Sequence, residues 1–112
     1  MVLNIRQEGS VTVVDLSGPI TLGDGRLELR ENLFRLLDQN HRHILLNLED
    51  VPHVDSSALG ELGASFKHAC EKNSVLKLLT PSPRVLDTLQ LMKFDELFDI
   101  HDDEREAIAS FE

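Results

Sequence analysis

The chain has 112 residues, a length that fits one domain, and 41% of them are hydrophobic, enough to form a core without disulfides. Aromatic residues make up only 4%, with no Trp or Tyr, and 20 acidic residues outnumber 11 basic ones, which gives a net charge of −9. This composition argues against nucleic acids and anionic membranes as partners, because both need clustered Lys and Arg, and base stacking needs aromatic side chains.

The first third of the chain predicts a β-hairpin followed by a helix. Residues 2–7 alternate apolar and polar, residues 11–16 form a β-branched run, and a Gly-containing turn separates them. The Pro of a following Ser-Gly-Pro sequence ends the second strand, because Pro has no N–H to donate to a sheet. Leucines at helical spacing from Leu22 to Gln39 then predict an amphipathic helix.

Strands and helices alternate through the rest of the chain. The predicted elements are, in order, a strand at 43–48, a helix at 56–72, a strand at 75–79, a helix opened by the Ser-Pro pair at 82–83, a strand at 97–100 and a helix from 102. Cys70 and Met92 fall on the apolar faces of the second and third helices, where we expect them to be buried.

This order of elements, β-β-α-β-α-β-α-β-α, predicts the α/β class. We expect one domain over residues 1–112, built on a mostly parallel mixed sheet with an N-terminal hairpin and about four helices. A single cysteine, the lack of a leader-like N-terminal pattern and the lack of an apolar run near the ~20 residues of a membrane span favour the reducing cytoplasm.

The stretch Asp55-Ser56-Ser57 follows a predicted strand and opens a predicted helix. Functional residues of alternating β/α folds gather at such junctions, and the free N–H groups of a helix N-terminus hold a phosphate well. Asp and Ser are also ordinary N-cap residues. The residues alone therefore leave a helix cap and a phosphorylation site as open alternatives.

The segment HILLNLEDVPHVDSSALGELGASF, residues 43–66, resembles the central motif of the STAS family, named for sulfate transporters and anti-sigma factor antagonists. In that family an apolar strand leads through an acidic pair and a short loop to Asp-Ser-(Ser/Thr)-Gly-(apolar)-Gly at a helix start. VVDLSGPI and LKLLTPSPRVLDTLQLMKFDELFDI extend the likeness over residues 3 to 105.

The resemblance implies a non-enzymatic binding module without cofactor or metal. In the bacterial antagonists, an anti-sigma factor with serine kinase activity phosphorylates the serine after the motif Asp, which here is Ser56, with Ser57 as second choice. Phosphorylation blocks binding, and a phosphatase restores it, so that sigma-factor-dependent transcription is regulated. The implied partner-binding residues are Asp24, Asp50, His53, Asp55, Ser56, Ser57, Ala58 and Glu61, on a monomer or weak dimer.

Ala58 departs from the family pattern, which has Gly there, and we expect its methyl group to narrow the approach of a partner. The turn before the first helix, residues 18–21, also lacks the acidic pattern that antagonists often carry. Two alternatives to the antagonist are a STAS scaffold subunit of a larger signalling complex and a small serine hydrolase. The hydrolase would use Ser56 as nucleophile with His53 or His68 as base.

A histidine-based metal site is a further alternative, since His41, His43 and His53 lie close together in the sequence. No Cys or Glu stands at a fixed ligand spacing from them, which argues against such a site.

Overall fold

Five strands form one mixed sheet in the order β1-β2-β3-β4-β5, and four helices pack against it. The computed structural model describes all residues from 1 to 112. The elements are β1 (Val2–Glu8), β2 (Val11–Ser17), α1 (Arg26–Asp38), β3 (His43–Asp50), α2 (Ser56–Glu71), β4 (Val75–Leu79), α3 (Pro83–Leu91), β5 (Ile100–His101) and α4 (Glu104–Ala109). The predicted α/β class, hairpin and helix count are confirmed.

The strand directions place one set of loops at one edge of the sheet. β1 and β2 pair antiparallel across the turn at Gly9, whose φ of 61° suits a residue without a Cβ. β2, β3, β4 and β5 are mutually parallel. The C-terminal ends of the parallel strands therefore share one edge, where the loops after β2 and β3 meet.

The sheet is covered on both faces. The larger apolar cluster lies between the sheet and the helices α1, α2 and α3, and includes Leu33, Leu46 and Leu62. A smaller cluster on the other face packs Val13 and Leu45 against Ala107 of α4. None of the helices is long and apolar enough to cross a bilayer.

Two predicted boundaries are wrong. The first helix begins at Arg26, not at Leu22, because Thr21 and Asp24 pair their backbones in a turn and Gly25 adopts a left-handed conformation at the N-cap. The last strand is Ile100–His101 and not 97–100, because the residues before it form turns after α3.

Two residues expected in the core are exposed. Cys70 lies in the last turn of α2, beside a cleft of about 260 Å³ that no further element covers, since β5 pairs only with the end of β4. Met92 follows the last residue of α3 and is 52% exposed, because the helix stops one position short of it. The helical spacing of apolar residues therefore continues beyond the part of each helix that packs against the sheet, and spacing alone predicts too much burial.

Candidate functional site: the loops around Asp55 and Ser56

The loop after β2 runs alongside the loop after β3. The amide of Gly18 donates to the carbonyl of Asp50 at 3.0 Å, and the amide of Ile20 donates to that of His53 at 3.2 Å. The amide of Asp55 donates back to Ile20 at 3.3 Å. Parallel pairing thus continues beyond a bulge near Ser17 and carries both loops to the start of α2.

The side chain of Asp55 connects the start of α2 to the loop after β2. One carboxylate oxygen, Oδ1, accepts the Ala58 amide at 3.0 Å and the Ser57 hydroxyl at 2.6 Å, which caps α2. The other, Oδ2, accepts the amide of Leu22 at 2.9 Å, from a residue 33 positions earlier. A single carboxylate therefore holds the helix start and the β2–α1 loop together.

These hydrogen bonds lower the pKa of Asp55 to about 2. The Ser57 hydroxyl is the largest cause, followed by the Ala58 and Leu22 amides, because each donor favours the ionised carboxylate. Asp55 is therefore a carboxylate at neutral pH and stays one well into the acid range. The surface beside Ser56 carries this fixed negative charge.

Ser56 and Ser57 occupy different environments. The Ser56 side chain is exposed and its hydroxyl makes no hydrogen bond to the protein. The Ser57 hydroxyl is half-buried and donates to Asp55. A kinase could reach the Ser56 oxygen without disturbing the fold, whereas transfer to Ser57 would break the cap and place a phosphate against a carboxylate.

Ala58 and Glu61 face inward, although both are among the partner-binding residues that the family resemblance implies. Ala58 is fully buried in the larger apolar cluster, so its methyl group cannot narrow the approach of a partner, contrary to our expectation. Glu61 is 7% exposed and its carboxylate pairs with Arg26 of α1 at 3.1 Å, with Arg30 at 3.7 Å. Both residues join α2 to the protein and present little surface to a partner.

Two leucines, one in the β2–α1 loop and one at the start of α1, are exposed, and sequence reasoning did not name them as site residues. Leu22 is 68% exposed in the β2–α1 turn, and Leu27 is 54% exposed in the first turn of α1. The Gly-Asp-Gly sequence after Leu22 is the turn signal that could have excluded it from the helix. Exposed apolar side chains beside polar groups are common at protein interfaces.

The other residues of the implied surface lie at the end of β3 or in the loops after β2 and β3. Asp24 and Asp50 are exposed, and the His53 side chain is partly exposed. Their backbones belong to the paired loops described above, so the structure brings them to the same edge as Ser56.

The histidine positions do not support the alternative chemistries. His68 lies twelve residues after Ser56 on α2, about 18 Å along the helix, where it bonds Asp38 at 2.7 Å. Ser56 has no hydrogen bond to His53 either, so no serine–imidazole pair is formed. His41 and His43 lie at the start of β3, and His53 lies beyond its far end. No group of three or more metal-binding side chains is present.

Comparisons with known proteins agree with this architecture. A candidate anti-sigma factor antagonist from Thermotoga maritima superposes with a TM-score of 0.90 at 21% identity, covering 96% of this chain and 92% of that one. The phosphorylated Bacillus cell fate determinant SpoIIAA gives 0.77 at 19%, covering 99% and 100%. A sulfate transporter family protein from Wolinella succinogenes gives 0.75 at 20%, covering 92% and 85%. The family model described as STAS domain matches residues 2–107, and the chain belongs to that family.

Proposed function

We propose that this chain is a phosphorylation-switched binding module of the anti-sigma factor antagonist type. Unmodified, it binds an anti-sigma factor through the loops around Asp55; phosphorylated on Ser56, it releases that partner. The observation that carries this proposal is the contrast between the unpaired, exposed hydroxyl of Ser56 and the rigid, hydrogen-bonded backbone around it.

The proposed contact surface combines exposed apolar side chains with Ser56, whose charge changes on phosphorylation. Leu22, whose amide bonds the Asp55 carboxylate, supplies exposed apolar area, and Leu27 adds more at the start of α1. Asp50 adds an exposed negative charge, whereas the carboxylate of Asp24 is paired with the N-terminal ammonium at 2.9 Å. Apolar anchors of this kind provide affinity, while charges set specificity and encounter rate. A partner with a basic rim and an apolar pocket would fit this surface.

A phosphate on Ser56 would change this surface without unfolding it. It adds about −1.5 to −2 charge at neutral pH beside the ionised Asp55. The N-terminus of α2 stabilises that charge locally, so the modified helix remains folded. A partner, in contrast, would have to desolvate two neighbouring anions, and the complex is weakened.

The kinase and the partner are proposed to be one protein, an anti-sigma factor with serine kinase activity in the cytoplasm. A phosphatase acting on phosphoserine would reset the switch and so regulate transcription by the released sigma factor. Similarity to SpoIIAA, an anti-sigma factor antagonist with an unphosphorylated and a phosphorylated form, supports the anti-sigma factor as partner and the phosphorylation. The kinase and the phosphatase are inferred from the family resemblance.

A charge-matched substitution tests the proposed switch. We expect Ser56→Asp to weaken binding to a purified anti-sigma factor from the same cell by tenfold or more, since like charges at an interface cost on the order of a few kcal/mol. Gln90→Glu is the control, because it adds the same charge at an exposed position of α3. Isothermal titration calorimetry measures both; equal affinity of Ser56→Asp and Gln90→Glu would refute the switch.

Gly60 allows an independent test of the local structure at the start of α2. It is exposed on α2, one turn after Ser56, and an added Cβ meets nothing within 4 Å. Gly60→Ala is therefore expected to stabilise the free protein by about 0.5–1 kcal/mol, because Ala loses less backbone entropy in a helix. Urea unfolding measures this gain, and an unchanged or lower stability would show that the added methyl group at position 60 is not accommodated freely.

A further inference from the structure

A polar cavity lies at the opposite end of the sheet from Ser56. It has a volume of about 360 Å³ and forms where the β1–β2 turn, the end of α1 and the start of β3 come together. None of its lining side chains is apolar and none is acidic, although the chain carries 20 acidic residues. Three of them can carry positive charge, and these are Arg42, His41 and His43.

The guanidinium of Arg42 has no partner in the protein. The side chain is exposed and takes part in no ion pair or hydrogen bond, and only the backbone carbonyl is used, by the amide of Val75 at 2.7 Å. The two acidic residues that directly adjoin lining residues in sequence, Glu8 beside Gln7 and Asp38 beside Gln39, are engaged elsewhere. Glu8 bonds Arg6 at 3.1 Å, and Asp38 bonds His68 at 2.7 Å. The donors of Arg42 are therefore free for an external acceptor.

Hydrogen bonds fix the orientation of His41. The side-chain amide of Gln7 donates to the carbonyl of Gly9 at 3.0 Å, so its oxygen faces Thr12 and accepts that hydroxyl at 3.0 Å. Thr12 has then used its only proton, and the 2.7 Å contact to His41 requires the imidazole Nδ1–H to donate. The other ring nitrogen, Nε2, makes no hydrogen bond to the protein.

We propose that this cavity, the Arg42 cavity, binds a phosphate group, either as the free ion or as a monoester. The unpaired guanidinium of Arg42 can donate to two oxygens of a phosphate at once, and no acidic side chain of the lining opposes the anion. The Ser10 hydroxyl, 3.3 Å from Nδ1 of His43, is a further polar group of the lining. A metal ion fits poorly, since two imidazoles with no third ligand do not make a transition-metal site.

An NMR titration with inorganic phosphate at constant ionic strength, with chloride as the balancing ion, tests this site. We expect saturable shifts of the His41 and His43 ring resonances and of the Arg42 amide, with a dissociation constant on the order of 1 mM. Arg42→Gln should weaken binding roughly tenfold, because the bidentate donor is lost. Arg84→Gln removes the same charge from an exposed position on α3 and should leave phosphate binding unchanged.

A second arm with phenyl phosphate distinguishes the two sources of the group. Tighter binding than that of inorganic phosphate assigns the cavity to a monoester, and equal or weaker binding assigns it to the free ion. Shifts that do not saturate, that spread over the surface, or that respond equally to Arg42→Gln and Arg84→Gln would overturn the proposal. The result is independent of the proposed function, because no partner protein takes part and Ser56 remains unmodified.

Discussion

Replacing Ser56 with alanine is expected to abolish phosphorylation by the cognate kinase. The Ser56 hydroxyl is exposed and unpaired, whereas the Ser57 hydroxyl is held by Asp55 at 2.6 Å. A kinase must bring its ATP to within bonding distance of the oxygen that it modifies, which the free side chain permits. Incubation with the kinase and ATP, followed by intact-mass measurement, should show one added phosphate on the wild type and none on Ser56→Ala.

Ser57→Ala is the matched control for this prediction. It removes the neighbouring hydroxyl and one hydrogen bond to Asp55, and leaves Ser56 in place. We expect it to accept a phosphate to nearly the same extent as the wild type. If Ser56→Ala is labelled at the wild-type level, or if only Ser57→Ala loses its label, the phosphorylation site is Ser57 and not Ser56.

Asp55→Ala is expected to lower the midpoint of thermal unfolding by roughly 5–10 °C at pH 7. The substitution removes the cap of α2 and the bond to the Leu22 amide together, so both the helix start and the β2–α1 loop lose their attachment. Asp103→Ala is the control, because Asp103 caps α4 through one amide only, that of Glu106 at 2.9 Å. Calorimetry of both variants should give a clearly smaller loss for Asp103→Ala, and equal losses would argue against the double attachment.

The stabilisation by Asp55 is also expected to depend on pH. Its pKa falls from the ordinary 3.8 to about 2 in the folded protein, so the unfolded chain takes up this proton at a higher pH than the folded one. The contribution of the Asp55 carboxylate to folding stability is therefore complete above about pH 4 and is lost as the pH falls towards 2. The difference in unfolding midpoint between wild type and Asp55→Ala should shrink over that range, and a constant difference would contradict the role of the carboxylate charge.

Much of the fold follows from local patterns that the sequence displays directly. The alternation of short apolar runs with helical leucine spacing identifies the elements, and the Asp-Ser-Ser stretch lies at the predicted junction of β3 and α2. The errors in predicted burial occur where the helical spacing of apolar residues continues beyond the strand that covers the helix. Cys70 has helical spacing from the buried face of α2 but lies past the cover that the two-residue β5 provides.

The site depends on contacts that periodicity does not encode. Asp55 is recognisable as a helix cap, yet its second attachment is to the main-chain amide of Leu22, a group that any residue type except Pro could supply. The burial of Ala58, in contrast, agrees with helical spacing, because Ala58 lies four residues before the buried Leu62 on α2. The family resemblance in the sequence therefore proposes Ser56 as the switch residue, whereas the hydrogen bonds around it could not be predicted from the sequence.

The central claim is that one phosphate on Ser56 releases the partner. Its most direct test is a calorimetric titration of the anti-sigma factor with two forms of the chain, one unmodified and one carrying phosphoserine incorporated at position 56. The unmodified form is expected to bind, and the phosphorylated form to bind at least tenfold more weakly while keeping its helical circular dichroism. Equal affinity of the two folded forms would contradict the account.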